Sequence, residues 1–332
     1  MNYIGSKHKL STFITTEIHR VVGDLSKKSF AELFGGTGAV ARKLKCRVKE
    51  ISINDLEDYA FVLLRHYIGN TKKQNATKWI QQLNEAPPRK GFIYNNYCAG
   101  SGSGRNYFTD DNGMKIDAAR LTIEQWMIKK KISADLYYLL LASLIESADT
   151  IANTASVYGA YLKYIKKSAS RPLQIKMAEY EVCKTKTRVY REDANILIKK
   201  ISGDILYLDP PYNQRQYGAN YHLLNTIAVN DRFIPKGKTG LRPEYSRSAY
   251  CSRNQVAEAF DALLATADFE YIFISYNNEG LMNEKTLEKI CKQYGSYQLI
   301  KKRYQRFRAD KAEARNHKAT HTEEHLHVLI KK

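Results

Sequence analysis

The sequence predicts an α/β protein: a doubly wound, mostly parallel, Rossmann-like sheet with a C-terminal antiparallel hairpin and an inserted, largely helical region. Three observations carry this. A short apolar strand at 29–33 runs into Phe34-Gly35-Gly36-Thr37-Gly38 and then into the helical run AVARKLK. A later apolar stretch, Ile-Leu-Tyr-Leu at 205–208, stops at Asp209-Pro210-Pro211-Tyr212. Around both, strand and helix patterns alternate, and right-handed crossovers then wind the helices onto both faces of one sheet.

Each element follows from its local pattern. After the first strand, turn and helix, a second strand at 50–53 runs into Asn54-Asp55, with a helix over 58–67. Residues 71–88 are polar and helical in pattern, closed by Pro87-Pro88. The stretch 91–112, which includes CAGSGSGRNYF, is read as an ordered loop opening an insertion. Helical spacing resumes near Leu121 and continues through Leu136 to Thr150. Beyond Arg171-Pro172 come strand-like pieces at 181–189, a helix around Asn195 and the strand into Asp209. The segment 213–252 reads as a long polar stretch, followed by a helix over 255–267 and a strand at 271–275. The extended runs 297–306 and 325–330 form the expected closing pair, and no internal repeat is found.

Composition narrows the partners. Fifty-three Lys and Arg stand against 34 Asp and Glu, a net charge of +19, which predicts a polyanionic partner, most often nucleic acid. The cations cluster, with eleven against four acids over 163–200 and eight against two over 301–318. Tyr158, Tyr161, Tyr164 and Tyr304 interleave with them, a mixture suited to phosphates and bases together; a basic surface kept for solubility is the alternative. No apolar run reaches the ~18 residues of a membrane span. The first residues, MNYIGSKHKL, lack a signal peptide's apolar core. Five cysteines, an odd number with no C-x-x-C, argue against structural zinc and a disulfide framework and point to a reducing cytoplasm.

Two constellations carry chemistry. Gly35, Gly36 and Gly38 follow a strand and open a helix, so a ligand can approach the backbone closely. Asp55 lies twenty residues after Gly35, at the end of the next strand, where an acid accepts hydrogen bonds from ribose hydroxyls. The loop is neither a triphosphate loop nor the longer dinucleotide fingerprint, so a ribose-bearing ligand without pyrophosphate fits, and S-adenosylmethionine is the obvious one. The second constellation is Asp209-Pro210-Pro211-Tyr212. Prolines end the strand and stiffen the residue before each of them. The product is a rigid corner presenting a carboxylate, a carbonyl free of ladder duty and a ring, which suits a flat amine.

Four segments in order, Asn2-Tyr3-Ile4-Gly5-Ser6-Lys7, Glu32 through Gly38, Ile53-Asn54-Asp55 and Asp209 through Tyr212, resemble those of the amino-methylating DNA methyltransferases, in particular the Dam-like adenine enzymes in their alpha arrangement. Ile274 through Glu279 and Glu324-His325-Leu326-His327-Val328 match more loosely. The resemblance spans almost the whole chain. It implies an S-adenosylmethionine-dependent methyltransferase fold over 1–90 and 189–332, with target recognition in 91–188 helped by a DNA-contacting segment at 213–252. It implies methyl transfer to adenine N6 of a base swung out of duplex DNA, with Asp209 and the Pro210 carbonyl accepting the amine's N–H groups, Pro211 stiffening the corner and Tyr212 stacking on the base. Tyr3, Lys7, Glu32, Phe34, Gly35, Gly36, Gly38, Asp55, Asp193 and Asp209 are the implied cofactor contacts. Ser6 as a plain helix cap, Glu32 as a surface acid and His222 as either a DNA contact or a buried histidine stay open. The His-rich tail, His317, His321, His325 and His327, is read as strand alternation, and no metal is expected. No cysteine follows a proline, which excludes the cytosine-C5 nucleophile. Alternatives are an RNA or N4-cytosine amino-methyltransferase and an idle DNA-binding module. A monomer, with a cognate restriction endonuclease encoded separately, completes the expectation.

Overall fold

The computed structural model describes residues 6–305 and 321–331 of the 332-residue chain. Seven strands, β1 (Ser29–Glu32), β2 (Glu50–Asn54), β3 (Lys186–Tyr190), β4 (Ser202–Leu208), β5 (Asp268–Asn277), β6 (Gly295–Gln305) and β7 (His321–Lys331), form one sheet in the order β3-β2-β1-β4-β5-β7-β6. The first five strands are mutually parallel, and β7 runs antiparallel between β5 and β6. Residues 205–208 of β4 are all buried, as befits a central strand covered on both faces. From β1 the chain proceeds outward to β2 and β3, and then restarts on the other side with β4 and β5. The strand order therefore reverses between β1 and β4, the switch point at whose carboxyl edge open α/β sheets bind ligands.

The chain divides into two compact units. The sheet unit comprises Ser6–Leu56, Cys183–Gln216 and the described residues of Arg247–Lys332; the other comprises Glu57–Val182 and Tyr217–Ser246. The Asp58–Leu64 helix belongs to this second unit because it contributes Tyr59, Ala60 and Leu63 to a core shared with Tyr97, Tyr107, Leu139 and Leu140. Inside it, the buried Arg120 donates to the carbonyls of Ile227 (2.8 Å) and Ala228 (3.1 Å) and to the Glu124 carboxylate (2.7 Å).

Three sequence expectations need correction. The stretch 91–112 is not all loop, since Phe92–Tyr97 is helical. Its first turn is capped by the Asp117 carboxylate, which accepts from the N–H groups of Gly91, Ile93 and Tyr94 at 2.8–3.0 Å. Such a distant cap leaves no local trace. The segment 213–252 is not a long polar stretch, since it contains the helix His222–Val229 with Leu223, Leu224 and Ile227 buried. A helix buried on nearly every side lacks the apolar stripe that marks an amphipathic one. Helix Glu284–Tyr294 is additional, and only 186–190 of the strand-like region is strand. Arg306 and Tyr3 lie outside the described residues.

Candidate active site

Strand β4 delivers the corner. Its buried Tyr207 donates its hydroxyl to Ser275 Oγ on β5 (2.8 Å), and beyond the prolines the Leu281 N–H donates to the Tyr212 carbonyl (3.1 Å). The half-buried Tyr212 ring sits edge-on to Tyr276 with centroids 6.5 Å apart. Into this corner comes Lys7, from a single 3₁₀ turn, Lys7–Lys9, at whose start Ser6 Oγ accepts from His8 N–H at 3.4 Å. Ser6 therefore caps the turn that carries Lys7.

The Lys7 ammonium lies 3.0 Å from Asp209 Oδ1, 3.1 Å from Glu324 Oε1 and 5.5 Å from the centre of the Tyr212 ring. The side chains of Lys7, Asp209 and Glu324 are 7%, 15% and 1% exposed, so three charges share a nearly dry space. Burial pushes the Asp209 carboxyl up to about 7; Lys7 opposes the shift and Glu324 adds to it. Burial alone would lower the affinity of Lys7 for its proton, but the carboxylates of Asp209 and Glu324 outweigh it and hold the ammonium charged well above its usual range. Lys7 engages Asp209 through Oδ1.

The glycine turn is built beside it. Gly36 and Gly38 have φ of +52° and +72°, left-handed values that favour glycine. Asp55 Oδ2 accepts the Gly36 N–H at 2.7 Å, and the Asn54 carbonyl accepts the Gly35 N–H at 2.8 Å, so the end of β2 fixes the turn leaving β1. The Asn54 amide donates to the carbonyls of Leu33 and Glu192, both at 3.0 Å, and its oxygen accepts the Glu192 N–H at 2.9 Å. One side chain thus staples the exits of β1, β2 and β3. Glu32 is not a surface acid: it is 3% exposed, its Oε2 accepts the Ala41 N–H at 3.1 Å, and burial followed by repulsion from Asp209 raises its proton affinity well above normal. Phe34 packs edge-on against Tyr250 at 4.9 Å.

Other sequence candidates receive different places. Asp193 is exposed and caps the turn Ala194–Leu197, its Oδ1 accepting from Asn195 and Ile196 N–H groups at 2.9 and 3.2 Å. His222 is fully buried; its Nε2 lies 3.1 Å from the Tyr158 carbonyl, and burial lowers its pKa to about 4, which resolves the open choice toward a packed histidine. His327 is buried with Nδ1 2.8 Å from the Tyr297 hydroxyl. His317 lies outside the described residues. Sequence reasoning missed three contributors: Asn54, the aromatic partner Tyr250 and above all Glu324. The signal for Glu324 was present, an acid at an inward position of the β7 alternation beside the apolar Leu326 and Val328.

The chain that carries this glycine turn and buried acid–lysine corner has known relatives. A family model for the D12 class N6 adenine-specific DNA methyltransferases matches residues 3–290. The Neisseria lactamica Type II methyltransferase M.NlaIII is 58% identical over 100% of this chain and 99% of its own length. M.CviAII of Paramecium bursaria Chlorella virus 1 is 37% identical over 93% of both chains, and M.FokI of Planomicrobium okeanokoites is 36% identical over 99% of this chain, which spans about half of that protein (52%). A solved Thermoplasma acidophilum structure aligns with 97% of this chain and 88% of its own at 7% identity and a TM-score of 0.39, too weak a likeness to argue from. The chain belongs to the D12 class of N6 adenine-specific DNA methyltransferases, and transfers a methyl group from S-adenosylmethionine to adenine N6 in DNA.

Proposed function

We propose that this chain is the modification enzyme of a Type II restriction–modification system, methylating adenine in a specific duplex sequence after swinging the base out of the helix. The Type II names of its relatives support the assignment, and a cognate endonuclease would be a separate chain. It works as a monomer in the cytoplasm, where its substrate is. The observation that carries the catalytic reading is the buried Asp209 carboxylate at the proline corner, with the Lys7 ammonium 3.0 Å from its Oδ1.

The target amine's lone pair is delocalised into the ring, so it attacks poorly until the nitrogen moves toward tetrahedral geometry. Asp209 and the Pro210 carbonyl each accept one N–H, which draws the nitrogen into that geometry and holds the developing positive charge. When bound, S-adenosylmethionine supplies an electrophilic methyl carbon on a sulfonium. Transfer of that methyl to N6, with thioether sulfur as the leaving group, would require one N6 proton to leave. Asp209, with its pKa raised to about 7, is suited to take it. Tyr212 replaces the stacking that the extruded base has lost.

The residues at the switch point fit the donor. Gly35, Gly36 and Gly38 leave room against the backbone, Asp55 sits where ribose hydroxyls arrive, and Phe34 offers an apolar side. Glu32 is placed for the amino group of the methionine part. Tyr3 and Asp193 remain assigned to the cofactor on the family pattern alone, Asp193 already serving as a cap. Target recognition is assigned to Glu57–Val182 and Tyr217–Ser246, which carry the basic and aromatic loop around Tyr164 (86% exposed). Phosphate contacts there make binding steeply salt-dependent.

The test is mass spectrometry of nucleosides from duplex DNA incubated with the protein and isotopically labelled S-adenosylmethionine. Label in N6-methyladenine is expected, with Asp209→Ala slower by ~10²–10³. Label in N4-methylcytosine, or an Asp209→Ala variant within tenfold of wild type, would overturn the reading.

A further inference from the structure

We propose that Glu324 is a positioning residue for methyl transfer: from β7 its carboxylate holds the Lys7 ammonium against Oδ1 of Asp209, so that the other Asp209 oxygen is the one offered to the target amine. The proposal rests on the assignment of Asp209 as the amine's acceptor. Glu324 is buried, and apart from the Lys7 ammonium at 3.1 Å neither of its oxygens has a hydrogen-bond partner among the described residues. An uncompensated carboxylate at such a depth is costly, so a strand retains it only where its charge is used. Its use is visible in the distances. Lys7 stands on a short turn with a flexible four-carbon stem, and a single carboxylate partner would leave the ammonium free to swing around Asp209 and cover either oxygen. Two partners at 3.0 and 3.1 Å fix it on a line between β4 and β7, and fix with it which face of Asp209 is closed.

The neighbours that share this space are known. Asp209 is faced by Lys7, by Glu324, by Tyr207 of its own strand and by Glu32 of β1. Tyr212 beyond the corner faces Lys7, Asp209, Glu324 and Glu279. Directly opposite Glu324 in the sheet stand Asn277 of β5 and Lys302 of β6, the latter with its ammonium 4.6 Å from the centre of the Phe13 ring. In this set Lys7 is the cation that touches both carboxylates, so neutralising Glu324 leaves Lys7 wholly to Asp209.

The experiment is single-turnover methylation by Glu324→Gln, Lys7→Gln, the double variant and Asp209→Ala, across pH 6–10, with binding of duplex DNA and of S-adenosylmethionine measured separately. Glu324→Gln is expected to bind both within a few fold of wild type, to react slower by ~10-fold through loss of placement, and to move the acid limb of its profile to lower pH, since Asp209 then has Lys7 to itself. In the Lys7→Gln background the same change is expected to slow the reaction no further, because Glu324 acts through Lys7. A wild-type rate and an unmoved acid limb in Glu324→Gln would overturn the proposal. Should Glu324→Gln fail to fold, the double variant decides: a rate like Lys7→Gln upholds the proposal and one tenfold lower overturns it. Asp209→Ala, assayed in the same way, separates the failures, since activity in that variant would sink the acceptor assignment itself, whereas its inactivity beside a normal Glu324→Gln would sink only the role of Glu324.

Discussion

Replacing Lys7 by glutamine removes one positive charge from between two buried carboxylates and keeps a hydrogen-bond donor in its place. At 3.0 Å the ammonium–carboxylate attraction is on the order of 5 kcal/mol for an effective dielectric of ~20. Each pKa unit corresponds to ~1.4 kcal/mol, and an opposite charge at this range typically shifts a carboxyl by ~1–3 units. Without Lys7 the Asp209 carboxyl, already near 7, therefore rises to ~8–10. At pH 7.5 a rise of about two units takes its ionised fraction from roughly three quarters to roughly 3%, a loss of ~25-fold in any rate that needs the carboxylate. The assay is kcat/KM for methylation of a short duplex between pH 6 and 10. The acid limb is expected to move upward by ~1–3 units, with much of the lost rate returning near pH 10. An acid limb that stays in place, or moves to lower pH, would refute the electrostatic argument.

Asp209→Asn should stabilise the folded protein in alkaline solution. Its folded-state pKa of about 7 lies above the ordinary carboxylate value, so the wild type loses stability as the pH rises from ~4 to ~7 and carries the full cost above that window. The melting temperature of the variant should exceed that of the wild type at pH 8 and meet it near pH 4. Tyr212→Ala should weaken binding of a duplex whose target base is unpaired by ~1–3 kcal/mol, while Tyr212→Phe and Tyr212→Trp keep most of the affinity; equal binding by all four proteins would exclude stacking. Arg120→Met leaves the carbonyls of Ile227 and Ala228 buried without their donor, and should cost ~3–5 kcal/mol in urea denaturation. A loss below ~1 kcal/mol would show that water or a neighbour replaces the guanidinium.

The sheet unit was legible because its signals are local. A strand that ends in Phe34-Gly35-Gly36-Thr37-Gly38 has one way to leave the sheet, and Pro210-Pro211 forbids the continuation of β4. Asp55 was singled out for its place at the end of β2, where the structure gives it the Gly36 N–H to hold. What was not legible depends on distant partners. Helix Phe92–Tyr97 needs Asp117 as its cap, and His222–Val229 needs a core to surround it, so neither declares itself in a short window. The cap made by Asp193 was not legible either, since an acid beside a nucleotide-binding edge and an acid that caps a helical turn look alike in sequence. Glu324 was quoted as a motif without a role, because its meaning lies in Lys7, at the other end of the chain.

That separation has a consequence for when the enzyme comes into being. Lys7 precedes every described strand of the sheet, and Glu324 lies on β7, the last of them. A nascent chain, or one cut short before β7, can hold the cofactor turn and the Asp209 corner yet lacks the second anchor for its lysine. β7 also inserts between β5 and β6, so its arrival completes the sheet and the charge arrangement in one event. The arrangement of charges around Asp209 is thus tied to the closing of the sheet: a chain without β7 is expected to keep the corner and lose the anchor that orders it.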